Sequence, residues 1–131
     1  MISKDVNAYL KKIDSQLIGE IEDATVKIEG SVCDTTGSWK DVISVYMILK
    51  DGILLQIKAK CGPCDPYAYT AMNILCKILL NMKYNEISIE NKEILKAFEK
   101  EFASSMDLDM RFHFEKILDL IDREIRKFIE N

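Results

Sequence analysis

Cys61-Gly62-Pro63-Cys64 separates a short run of alternating apolar residues from a long apolar-rich segment of helical character. Cys33 stands at the end of an earlier alternating run, and the only histidine, His113, opens the last helical segment. Thiolate sulfur and imidazole nitrogen are ligands for zinc and for the iron of iron–sulfur clusters. C-x-x-C between a strand and a helix also suits dithiol chemistry, because a helix N-terminus stabilises thiolate. Cys33, followed by Asp34 in a Thr/Gly/Ser-rich loop, reads as a ligand or reactive thiol as readily as a buried one. Cys76 sits among Ile74, Leu75, Ile78 and Leu79 and reads as core filler. Taken alone, His113 on an apolar stripe would more often be a structural imidazole than a ligand. Trp39, the single tryptophan, either closes over the site or packs onto the sheet.

Other chemistries find little support. Cys-Gly-Pro-Cys is the thioredoxin tetrapeptide, but that fold needs further strands after the motif helix and a cis-proline beside the dithiol. The only prolines are Pro63 and Pro66, and everything beyond Cys64 has helical periodicity. No Gly-x-Ser-x-Gly elbow, phosphate loop or dinucleotide fingerprint is present. A net charge of −4 without a Lys/Arg cluster speaks against nucleic acid. The longest apolar stretch, 71–82, is broken by Asn73, Lys77 and Asn81, too short and polar for a membrane span. Asp5 and Lys11-Lys12 interrupt any leader-like segment, and four cysteines without one point to a reducing cytoplasm. Free or metal-bound thiols are therefore expected rather than a disulfide framework.

The elements that must position these residues follow from periodicity. The 131 residues suffice for a single domain with a real core. Val6, Leu10, Ile13, Leu17 and Ile18 predict an amphipathic N-terminal helix within 1–22. Val26, Ile28 and Val32 alternate with Lys27, Glu29 and Ser31 in a half-buried strand over 24–32. Residues 34–41 are turn-rich and predict a loop. Val42–Lys50 and Ile53–Lys60 flank Asp51-Gly52, a strong hairpin signal, with Ile53, Leu55, Ile57 and Ala59 on the dry face. Asp65-Pro66 reads as an N-cap and first helical residue of a helix running to about Lys83. Residues 91–103 and 111–129 predict two more helices. The sum is an α+β domain, a three-stranded antiparallel sheet with helices on one face. Strands running up, down and up bring Cys33, Asp34, Asp41, Cys61 and Cys64 to one end of that sheet.

Over roughly 24–129 this order of elements resembles the scaffold proteins of iron–sulfur cluster assembly, of the IscU type and the NifU N-terminal domain. Gly30-Ser31-Val32-Cys33 matches the strand leading to the family's first cysteine. Asp41-Val42 through Asp51-Gly52-Ile53 matches its hairpin, Cys61-Gly62 its second cysteine, and Phe112-His113-Phe114 its His-Cys pair. Phe114 replaces the third cysteine, and Cys64 is a candidate substitute. Leu108-Asp109-Met110-Arg111-Phe112 stands in place of the Leu-Pro-Pro-Val-Lys chaperone-docking segment, which speaks against chaperone delivery. The resemblance implies a non-enzymatic scaffold that holds iron, zinc or a transient iron–sulfur cluster. Its ligands would be Cys33, Cys61, Cys64 and His113, with Asp34 or Asp41 competing. Partners would be a cysteine desulfurase and acceptor proteins. The alternatives are a dithiol redox protein using Cys61 and Cys64, and a scaffold-fold binding protein without cluster chemistry.

Overall fold

The computed structural model describes residues 9–35, 39–62, 66–102 and 108–130, with side chains at 9–31, 42–62, 67–101 and 110–130. Three strands, β1 (Val26–Thr35), β2 (Trp39–Lys50) and β3 (Ile53–Cys61), form an antiparallel sheet in the order β1-β2-β3. Three helices follow, α1 (Pro66–Leu79), α2 (Lys92–Phe102) and α3 (Leu108–Glu130).

Alternation decides which sheet face meets the helices. Ile28, Ile43, Val45, Met47, Ile57 and Ala59 are buried, and they join Ala71, Leu75, Ile117 and Ile121 of α1 and α3 in one core. Each such aliphatic side chain contributes roughly 1.5–3 kcal/mol by leaving water. Gly30 is the point of closest approach: a Cβ there would lie 2.9 Å from Leu120 Cδ2 of α3. The opposite sheet face is polar, with Tyr46 roofed by the ammonium groups of Lys27 and Lys60 at 5.5 and 5.9 Å from its ring centre.

The β2–β3 turn uses Asp51 and Gly52 at φ 55° and 82°, the left-handed pair that a two-residue hairpin requires. Pro66 opens α1 as expected. That helix stops at Leu79, short of Lys83, because Asn81 takes φ 70° and donates its N–H to Leu54 O at 2.8 Å. Asn91 caps α2 by accepting from Glu93 N at 3.0 Å.

Three expectations need correction. Most of the loop expected over 34–41 is strand, since β1 and β2 stay paired through Asp34↔Lys40 and Thr35↔Trp39. Leu54, not Leu55, is buried: a bulge between Ile48 and Leu49 shifts the register, leaving Leu55 exposed. The helix expected through Ile18 does not reach it. Asp14 accepts from Gln16 N and starts a 3-10 turn over Ser15–Leu17, after which Ile18 forms a parallel bridge to Ala59. Asn73 holds this segment on both sides, accepting from Asp14 N and donating to Asp14 O, each at 3.0 Å. Nearby, the Lys77 ammonium donates to the Tyr9 hydroxyl at 2.6 Å, and that hydroxyl donates to Glu101 Oε1 at 2.8 Å. Burial first, then this bond to Glu101, raises the Tyr9 pKa above the ordinary phenol value.

Candidate metal centre

The strand register sets the site's frame. Cys33 pairs with Asp41 across β1 and β2, and Ile43, two residues farther along β2, pairs with Cys61 of β3. A bulge between Ser31 and Cys33 inserts one residue, so it is Cys33 and not Val32 that takes the position opposite Asp41. Backbone positions 33, 41 and 61 therefore lie at one end of the sheet, as the up-down-up topology predicts. The side chains of Cys33, Asp34, Asp41, Cys64 and Trp39 lie outside the described residues.

Cys61 is half-buried against the core cluster at the end of β3, and Gly62 N–H donates to Val42 O at 3.1 Å, fixing the chain as it leaves the strand. Cys61 is disulfide-bonded. This corrects the expectation of free or metal-bound thiols: the strand end brings a second cysteine sulfur within covalent reach. Cys76, in contrast, is free and fully enclosed in α1, and burial pushes its thiol up to about 12. It is core, as expected, and an inert thiol.

His113 lies in the second turn of α3, buried on the side facing α1. Tyr67, in the first turn of α1, stacks on its ring with centres 6.0 Å apart and planes 16° apart, while Phe112 meets it edge-on at 5.5 Å. The imidazole is thus clamped beside the start of α1, six residues beyond Cys61 in the chain. Sequence reasoning gave Tyr67 no role here. Its only signal was an aromatic in the turn after the C-x-x-C.

On the other side of the strand end, Cys61 lines an open pocket of about 290 Å³ with Glu29, Val42, Ser44, Lys60 and Gly62. Lys60 pairs with Glu20, and that hydrogen bond holds the Lys60 ammonium above and the Glu20 carboxyl below their usual ranges. Among the described residues no group of three or more His, Cys, Asp or Glu side chains gathers to hold a metal.

No family profile and no curated protein matches the chain by sequence. Solved structures do match. A protein assigned as an iron–sulfur cluster assembly scaffold for the SUF system of Fervidobacterium islandicum AW-1 superposes with TM-score 0.69 at 17% identity, over 95% of this chain and 96% of that one. The N-terminal part of a nitrogen-fixing NifU-like protein from Brucella abortus gives 0.62 at 12% identity, over 98% and 94%. The fold is SufU/NifU-like. The α+β expectation is met along nearly the whole of both chains. Within this SufU/NifU-like frame Phe114 is fully buried and stacks on Phe98 with ring centres 4.2 Å apart, so it fills core volume. No helix among the described residues is long and apolar enough to cross a membrane.

Proposed function

We propose that the chain is a divergent member of the iron–sulfur scaffold family. It binds iron or a nascent cluster as cargo, or zinc in the same place, and passes the cargo to acceptor proteins. The ligands would be Cys33, Cys61, Cys64 and His113, with Asp34 or Asp41 competing. Cys64 would supply the thiolate that Phe114 cannot. Sulfur would come from a cysteine desulfurase, with one of these cysteines as acceptor thiol.

The observation that supports this reading most is the register: Cys33↔Asp41 and Ile43↔Cys61 share one sheet end, next to the turn of α1 that holds His113. The donor chemistry also fits, since a cysteine sulfur with a second sulfur in covalent reach suits a thiophilic metal. A half-buried thiol at a strand end and an imidazole beside a helix start would hold cargo without caging it. Anaerobic incubation with iron and sulfide should give thiolate-to-iron charge-transfer absorption that Cys33→Ala and Cys61→Ala abolish. Undiminished absorption in both variants would refute the assignment.

The disulfide at Cys61 favours a second reading, a dithiol redox protein. Insulin reduction by metal-free protein, dependent on both Cys61 and Cys64, would favour it over the scaffold.

A further inference from the structure

We infer that the Cys61 disulfide is a redox gate on the proposed metal site, opened by a small thiol entering through the pocket on the polar face of the sheet. This rests on the scaffold reading and adds a control to it. A sulfur cannot be half of a disulfide and a thiolate ligand together, because only the thiolate carries the electron pair a metal binds. In the oxidised protein Cys61 is therefore withheld from any ion. With Cys76 free in the core, its partner is Cys33 or Cys64, each a proposed ligand, so oxidation removes two donors at once.

Access distinguishes this disulfide from a buried structural one. Cys61 lines the pocket of about 290 Å³ opening between Val42, Ser44, Lys60 and Gly62, on the face that no helix covers. That volume admits a small organic thiol. The Lys60 ammonium at the rim favours an approaching thiolate, and Glu29 and the paired Glu20 temper that attraction without closing the opening. Exchange balances in two steps. An incoming thiolate attacks one disulfide sulfur, forming a mixed disulfide and releasing the first cysteine as thiolate. A second thiolate then attacks the mixed disulfide, releasing the second cysteine thiolate and the oxidised small-molecule disulfide. Two electrons pass from two external thiols to the protein, leaving a pair of thiolates for the metal.

Three measurements on the full chain test the gate. Alkylation of air-oxidised protein in denaturant should label two of its four cysteines, and all four after dithiothreitol, with peptide mapping naming Cys61 as one of the protected pair. Four labelled cysteines before reduction would overturn the proposal. Zinc, offered alone, should bind the reduced protein and not the oxidised one. Equal uptake by both forms would overturn the gate, whereas uptake by neither would overturn the metal reading beneath it, and the two failures are distinct. Val42→Trp, at an exposed position on the pocket wall, should slow reduction by glutathione several-fold while leaving the equilibrium midpoint in glutathione buffers unchanged. An unchanged rate would overturn the route through the pocket.

Discussion

Replacing Phe114 by cysteine restores the residue type that the scaffold family carries after its histidine, and the structure predicts that it will fail. Phe114 has no exposed surface and lies against Phe98 at 4.2 Å between ring centres. Cutting a buried phenylalanine to a small side chain costs about 3–5 kcal/mol through lost transfer energy and residual cavity. Losing the aromatic pair adds about 0.5–1.5 kcal/mol. Cysteine keeps one heavy atom beyond Cβ, so a net loss of about 3–4 kcal/mol is reasonable. A chain of 131 residues then loses on the order of 10–15 °C in Tm. The new thiol would meet the same desolvation that pushes Cys76 up to about 12, so it would stay protonated and take no metal near neutral pH. Thermal unfolding followed by circular dichroism gives the first number, and absorption after anaerobic reconstitution gives the second. A variant with parental Tm and stronger cluster absorption would refute the reasoning, because position 114 would then have to face the site.

Asn73→Ala removes both hydrogen bonds to the Asp14 backbone and should cost about 2–3 kcal/mol, with hydrogen exchange rising over 11–19 and little change in α3. Gly30→Val drives a branched side chain into Leu120 and should cost about 1–3 kcal/mol, measured by urea unfolding, unless α3 shifts. The pH dependence has a defined sign at Tyr9. Its folded pKa is raised, so its contribution is fully present below the ordinary phenol value of 10.0 and is lost as pH rises towards the folded value. Urea midpoints should fall between pH 9 and 11, and Tyr9→Phe should flatten that part of the decline; an equally steep fall in the variant would count against the assignment.

Much of the frame was legible because it depends on local chemistry. Asp51-Gly52 demanded a turn with positive φ, Pro66 could only begin a helix, and the stripe from Phe114 to Ile125 could only be an amphipathic helix. The convergence of Cys33, Asp41 and Cys61 followed from strand direction alone and needed no side-chain detail. What escaped depends on partners distant in sequence. Leu54 and Leu55 exchange burial because of a bulge that only the opposite strand reveals. The N-terminal helix gives way to a 3-10 turn because Asn73 and Ala59, far along the chain, compete for its backbone. Tyr67 gains its place only when α3 lays His113 beside it, a contact no spacing rule encodes. The disulfide went unforeseen because composition speaks to the compartment and says nothing of which sulfurs the fold brings together.

The bulge near Leu55 also constrains how this chain can vary over generations. Counting from the Asp51-Gly52 corner, one supernumerary residue fixes the phase in which Cys61 arrives at the helical layer. Losing or gaining a single codon between 53 and 61 would turn that sulfur towards solvent and swing Lys60 inward, whereas changes made two codons at a time keep the phase. Lineages that retain the chemistry should therefore show β3 length differences in even steps, and odd steps should accompany its loss.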